Sequence, residues 1–204
     1  MDDQQRTASW FSARTGKLTA SRMAAAMAYL KTGEPAEARA RYLMEVVAER
    51  LTDAIAPHYV TEDMRWGIEN ENQGKHEYTL RTGRSVEPCF FFEHFSIDNF
   101  GASPDGLLDP DGLIEVKCPR TANHLRWIAS GAVPKEHKPQ MLAQIACTGR
   151  EWVDCVSVDP RIRGAARLFS ARFVPTPEEL KGVETEARKF LAESCFCLIG
   201  TLGL

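Results

Sequence analysis

Two neighbouring segments carry the chemistry most plainly: Ser103-Pro104-Asp105-Gly106 and Leu113-Ile114-Glu115-Val116-Lys117. In a strand, residues two apart point to the same face, so Glu115 and Lys117 project together while Ile114 and Val116 go to the opposite one. Charged residues set among apolar ones in a short central strand are costly unless they line a cleft. Asp109-Pro110-Asp111-Gly112, a hairpin signal, lies between the segments and folds Asp105 back beside Glu115. Two converging carboxylates suit a hard divalent cation such as Mg²⁺. Lys117 can hold an attacking water or a scissile phosphate, which completes the equipment of metal-assisted phosphodiester hydrolysis. The competing reading is an amphipathic hairpin with one solvated face. The Pro-Asp-Gly lead, the turn and the Ile-Glu-Val-Lys alternation together favour the site.

The remaining pattern supplies elements to position that hairpin. Thr19 or Ser21 can cap a short Ala/Met-rich helix through Ala28, before a breaker at Lys31–Pro35. A helix over about 36–51 has Leu43, Val47 and Leu51 at helical spacing, with Tyr42 and Val46 widening the stripe. A long helix over about 62–81 ends at Gly83. Strands are expected at 86–95, 101–108 and 113–118, helices at 121–130 and 138–148, and strands at 151–158 and 167–174. Thr176-Pro177-Glu178-Glu179 opens a final helix. This order suits an α/β fold with one central mixed sheet flanked by helices.

Composition narrows the class. The chain has 204 residues, 26% charged and 44% hydrophobic, which fits one domain over residues 1–204 and excludes a disordered or fibrous protein. No apolar run is long enough to span a membrane, and the acidic Met1-Asp2-Asp3 start is unlike a signal peptide. The six Cys lack zinc or iron–sulfur spacing and read as reduced core residues of a cytosolic protein. The five His show no ligand spacing. Net charge is −3, but residues 117–172 hold ten Lys/Arg against four Asp/Glu. Such a segment can face a polyanion while the acidic remainder repels it elsewhere.

Four blocks in order carry a resemblance. They are Trp10 … Arg14-Thr-Gly16 … Thr19-Ala20-Ser21; Trp66-Gly67 … Glu71-Asn72 … Thr82-Gly83; the Asp105 and Glu115-x-Lys117 hairpin with Cys118-Pro119; and Gln140 … Gln144 … Thr148-Gly149-Arg150 … Trp152 with Asp159-Pro160-Arg161. Together they resemble the phage lambda exonuclease and YqaJ-type viral recombinase family of the PD-(D/E)XK nuclease superfamily, over about three quarters of the chain. The resemblance implies a restriction-endonuclease-like core. It also implies that Asp105, Glu115 and the Val116 carbonyl bind Mg²⁺, with Mn²⁺ as a substitute. Lys117 would orient the nucleophilic water, Glu71 complete the acidic cluster and Gln140 be the active-site glutamine. Arg14, Thr19, Ser21 and Ser103 would form a pocket for a terminal 5′-phosphate. Left to themselves, Glu71 reads as an i,i+4 partner of Lys75, Gln144 as a structural residue, and Thr19 and Ser21 as helix caps. Arg161 is expected at solvent or the DNA backbone.

The activity so implied is 5′→3′ digestion of linear double-stranded DNA. It would leave 3′ single strands for recombination, inside a bacterial cytoplasm and from a phage or prophage gene. A homo-oligomeric ring, a trimer by preference, and a single-strand annealing protein are the implied partners. A sequence- or structure-specific endonuclease with the same core would cut closed circles. A non-catalytic DNA-end binder would lack metal-dependent hydrolysis.

Overall fold

The computed structural model describes residues 5–55 and 60–202; Met1–Gln4 and His58 lie outside them. Helix α1 (Ala8–Arg14) leads through a turn at Gly16 into strand β1 (Leu18–Thr19) and helix α2 (Met23–Ala26). Helices α3 (Glu37–Thr52) and α4 (Glu62–Thr82) follow, then strands β2 (Phe92–Glu93), β3 (Phe100–Ala102), β4 (Gly106–Leu108) and β5 (Gly112–Lys117). Helices α5 (Thr121–Ser130) and α6 (Lys138–Thr148), strands β6 (Trp152–Val158) and β7 (Leu168–Phe173), and helix α7 (Pro177–Leu202) complete the order.

The strands form two mixed sheets rather than the expected one. The larger has the order β4-β5-β6-β7, with β5 and β6 parallel and the outer pairs antiparallel. A parallel pair needs a crossover, which α5 and α6 supply. The smaller has the order β1-β3-β2. Strand β5 separates two cores. Leu113, with Val153 and Cys155 of β6, packs toward Met141 and Ile145 of α6. On the other face Ile114 and Val116, with Val156 and Val158, meet Tyr78 of α4. Pleating therefore sends Glu115 toward α6 and its two neighbours toward α4.

Several sequence expectations change. Residues 86–95 are mostly irregular: Pro88 has no N–H to give, the Phe90-Phe91-Phe92 run does not alternate, and only Phe92–Glu93 and a bridge from Glu87 to Leu107 pair. The expected strand 101–108 is split between the two sheets at Ser103-Pro104-Asp105. On α3 the buried stripe runs through Arg39, Tyr42 and Val46, where Tyr42 stacks on Phe190 of α7 and Arg39 pairs with Glu193. Leu51 is exposed instead. The expected helix through Ala28 is a 3₁₀ turn plus one short helix, and the hydroxyls of Thr19 and Ser21 cap nothing because they face Arg14 and each other. No helix was expected at 8–14. Among the cysteines, 89, 147 and 155 are buried but Cys195 is exposed.

The ends of the long helices follow their sequence signals. Thr61 caps α4 through Met64 N–H, and Gly83 closes it in the left-handed conformation. Thr176 and Glu179 form a reciprocal capping box at the start of α7. No helix among the described residues is long and apolar enough to cross a membrane.

Gly74 lets α4 close on the sheet. A Cβ there would sit 2.5 Å from Val116 Cγ1 and 3.0 Å from Val158 Cγ1, and both side chains are buried and stiff. Gly74→Ala gains about 1 kcal/mol of helix propensity but overpacks the contact by ~1–3 kcal/mol. The expected net effect is a lower melting temperature by circular dichroism; an unchanged or higher one would show that α4 can ride outward freely.

Candidate active site

The larger sheet and α6 build one half of the site. The Asp105 N–H donates to Ile114 O at 3.1 Å, and Asp105 Oδ2 accepts the Val116 N–H at 2.6 Å. The break between β3 and β4 thus locks Asp105 onto the strand that carries Glu115. Glu115, which is 2% exposed, is gripped on both oxygens. Its Oε1 accepts from Lys117 Nζ at 2.5 Å and Gln140 Nε2 at 2.6 Å, and its Oε2 accepts from Gln144 Nε2 at 2.5 Å. Lys117 Nζ also donates to Gln140 Oε1 at 3.0 Å, which closes a triangle. Gln140 and Gln144 reach Glu115 together because four residues make about one helical turn.

Glu71 approaches from α4. Its Oε1 is 2.7 Å from Lys75 Nζ and its Oε2 is 2.6 Å from Arg6 Nη2. The i,i+4 pairing with Lys75 is therefore present. Burial, followed by the charges of Glu115 and Glu71, pushes the Asp105 carboxyl well above the usual aspartate range. Burial also raises Glu71, but Lys75 and Arg6 outweigh it and hold that carboxyl below its ordinary value. Burial works against the Lys117 ammonium, and Glu115 and Asp105 overcome it, so Lys117 titrates above an ordinary lysine.

No three His, Cys, Asp or Glu side chains among the described residues come together at metal-ligand spacing. The residues nonetheless fit a hard divalent cation. Asp105 and Glu115 offer only oxygen donors, the Val116 carbonyl directly follows Glu115 in sequence, and the burial and repulsion that lift Asp105 make an imbalance a cation relieves. Glu71 stands outside that donor set, its oxygens held by Arg6 and Lys75.

The smaller sheet builds the other half. Parallel pairing aligns Leu18 with Phe100 and Thr19 with Gly101, so Ser21 and Ser103 both follow the C-terminal ends of adjacent strands. Arg14 Nη1 donates to Ser103 Oγ at 3.3 Å and Arg14 Nη2 to Ser21 Oγ at 3.2 Å. Trp10 Nε1 donates to Ser103 Oγ at 3.0 Å, and the Arg14 guanidinium lies 4.1 Å from the Trp10 ring centre. Arg14 makes no ion pair among the described residues, and burial pushes it down to about 10. Its donors go to hydroxyls rather than to a carboxylate, with Glu49 acting on it only through its charge, and such a donor set is of the kind that fits an anion. Thr19 lies beside it, its N–H bonded to Tyr42 Oη and its Oγ1 3.4 Å from Ser21 Oγ. All of these except Ser103 line one cleft of about 590 Å³, together with Arg6 and the apolar Phe11, Met64 and Ile68. Arg161 lies elsewhere: both oxygens of buried Asp159 hold it, at 2.8 and 3.0 Å, and it stacks 4.6 Å from the Trp66 ring centre.

Sequence reasoning passed over two contacts. Gln144 was legible as the next turn of α6 but not as a buried donor to Glu115. Arg6 lies 65 positions from Glu71 and outside every motif, so nothing local announced it.

A mixed sheet carrying Asp105 and Glu115-x-Lys117, backed by a glutamine helix, is the construction of a restriction-endonuclease-like nuclease. The chain matches the YqaJ-like viral recombinase domain over residues 9–151 and belongs to that family. The structure is similar to the alkaline exonuclease LHK-Exo of Laribacter hongkongensis, at 38% identity with 94% of each chain covered and a TM-score of 0.87. The same enzyme in complex with dAMP matches equally well. A phage-related exonuclease of Haemophilus somnus shares the fold at 12% identity, covering 85% of this chain and 92% of its own, with a TM-score of 0.65. A search of curated proteins found no match.

Two predictions follow from the carboxylate arrangement. The native state holds the Asp105 proton more tightly than the unfolded chain. The stability this gives is present at low pH and is lost as pH rises from the ordinary aspartate range toward the raised native value. Asp105→Asn keeps an acceptor for Val116 and removes the repulsion. Without divalent cation it should raise the melting temperature at pH 8, by about 2–4 °C for each kcal/mol relieved, and change it little at pH 4. A lower melting temperature at pH 8 would refute the repulsion. Gln144→Leu fills the same volume but releases Glu115 Oε2. Mg²⁺ affinity by calorimetry should fall about tenfold; unchanged affinity would make Gln144 purely a packing residue.

Proposed function

We propose that the protein is a Mg²⁺-dependent exonuclease that digests linear double-stranded DNA from 5′-phosphorylated ends, as one nuclease domain over residues 1–204. One observation carries the reading: the anion site at Arg14 and the carboxylate–lysine cluster are joined by the tripeptide Ser103-Pro104-Asp105. Two residue steps span at most about 7 Å, so an anion held by Ser103 lies within a nucleotide or two of Asp105.

The chemistry follows from that spacing. Arg14, Ser21 and Ser103 take the terminal phosphate and fix which end enters. Lys117, positioned by Glu115 and Gln140, orients a water for in-line attack on the next phosphorus and faces the charge that develops there. Gln140 and Gln144 hold Glu115 in one rotamer. A divalent cation held by Asp105, Glu115 and the Val116 carbonyl would supply Lewis-acid neutralisation of the phosphoryl oxygens. The similarity to LHK-Exo, an alkaline exonuclease, agrees with this class of reaction, and the complex of that enzyme with dAMP agrees with a mononucleotide-sized site. The family resemblance extends the proposal to a ring, a trimer by preference, working in a bacterial cytoplasm with a single-strand annealing protein. Its product would be a 3′ single strand.

The test is digestion of linear duplex DNA, labelled at the 5′ or the 3′ end, with Mg²⁺ and beside a closed circle. Early release of 5′-terminal nucleotides with the circle intact is expected. Lys117→Ala should cost at least about 10²–10³-fold in rate, and Arg14→Ala should erase the preference for 5′-phosphorylated ends. Cutting of the circle would make the protein an endonuclease, and no hydrolysis with any divalent cation would reduce it to an end binder.

A further inference from the structure

Three contacts tie Gln5–Thr7 to both halves of the site. Gln5 Nε2 donates to Pro104 O at 2.7 Å, Arg6 Nη2 donates to Glu71 Oε2 at 2.6 Å, and Thr7 Oγ1 caps α1 through Trp10 N–H at 3.2 Å. Arg6 sits at φ 63°, a left-handed conformation that a non-glycine residue adopts only when its surroundings fix it. The strap thus runs from the helix that carries Trp10 and Arg14 to a carboxylate beside Asp105. Glu71 is held differently on its two sides. Lys75 reaches it from within α4, where helix geometry sets the pair. Arg6 reaches it from outside regular structure, with a third of its side chain exposed, and it lines the same cleft as Arg14.

We propose that Arg6 is a positioning residue that serves as an exchangeable counterion: it neutralises Glu71 while the cluster holds no divalent cation, and turns to a backbone phosphate once cation and DNA end are bound. The proposal rests on the metal and DNA-end reading given above. One guanidinium cannot saturate Glu71 and a phosphate at once. In the free protein Arg6 therefore competes with the cation for the negative field of Glu71. DNA draws Arg6 away and strengthens cation binding, and by reciprocity the cation frees Arg6 and strengthens end binding. A strap that served only to anchor the N-terminus would couple nothing.

The experiment uses the full chain and Ca²⁺ as the probe ion, with calorimetry for Ca²⁺ alone and fluorescence anisotropy for a 5′-phosphorylated duplex in Ca²⁺ or EDTA. Arg6→Ala should bind Ca²⁺ about twofold to fivefold more tightly than wild type without DNA, the scale of one partly exposed ion pair. Ca²⁺ should raise the DNA affinity of wild type by about fivefold or more, and Arg6→Ala should lose most of that gain. Arg6→Gln, which keeps a hydrogen-bond donor without the charge, should follow Arg6→Ala and guards against a folding defect. Arg6→Lys should stay near wild type. If the uncharged variants bind Ca²⁺ no more tightly than wild type, or keep the full coupling, the exchange is wrong while the reading of the site stands. If wild type binds neither Ca²⁺ nor the DNA end, that reading falls and this proposal with it.

Discussion

Everything in this site depends on holding the carboxylates of Asp105 and Glu115 inside a folded chain, with Glu71 of α4 adding its charge to the field at Asp105. Burial first, and then the charges of Glu115 and Glu71, lift Asp105 out of the normal aspartate range. Three internal cations oppose them: Lys117 on Glu115, and Lys75 and Arg6 on Glu71. Gathering charges in a low-dielectric interior costs more than an apolar core of the same volume would. The cost is tolerable because each carboxylate is also hydrogen-bonded, Glu115 by two glutamines and Asp105 by a backbone amide. Such a balance is poised: a divalent cation that enters makes one or more of the internal cations redundant and leaves them to pair with something else.

The fold has one strand to organise this balance around. Strand β5 is paired on both edges and packed on both faces, so its register cannot slip without exchanging Glu115 for Ile114 or Val116. Gly74 lets α4 come close to that strand, which is how Glu71, one turn earlier on the same helix, reaches the cluster. On the opposite face, the burial of α6 in the larger core leaves its Gln140 and Gln144 aimed at Glu115. Packing and chemistry alternate residue by residue along a single hexapeptide.

How much of this the sequence disclosed follows from how local each signal is. Helices α3, α4, α5 and α6 lie within about two residues of their expected bounds and α7 starts where its cap is expected, because caps, glycines and periodicity are local signals. The Asp105, Glu115 and Lys117 arrangement was legible because a hairpin and a two-residue period suffice to place it. The irregular course of 86–95 and the two-sheet division were not. Aromatic, β-favouring residues imply pairing, but whether a partner edge is free is a tertiary matter. Helix α1 was lost for a related reason, since its seven residues bury nothing fully and carry no stripe. The hydroxyls of Thr19 and Ser21 are the instructive case. Read locally they are caps, yet Arg14 folds back from α1 and claims Ser21. Arg6 lies beyond local reasoning altogether, since only the folded chain brings it to Glu71.

The tripeptide Ser103-Pro104-Asp105 explains why the two sheets do not merge. Had the chain run straight from β3 into β4, Ser103 and Asp105 would have shared one face of one strand. The break instead gives Ser103 to the Arg14 guanidinium and Asp105 to the carboxylate cluster, beside separate sheets. Pro104 suits the break because it has no N–H to leave unpaired, and its carbonyl accepts from Gln5 at 2.7 Å. The result is a covalent ruler between the Arg14 guanidinium with its hydroxyls and the place where the carboxylates gather. A flexible linker there would let that distance vary. A fixed fold of the chain, restrained on both sides by hydrogen bonds, holds the two groups at one separation, and such positioning is the larger part of what an enzyme provides when two parts of one substrate must be held at once.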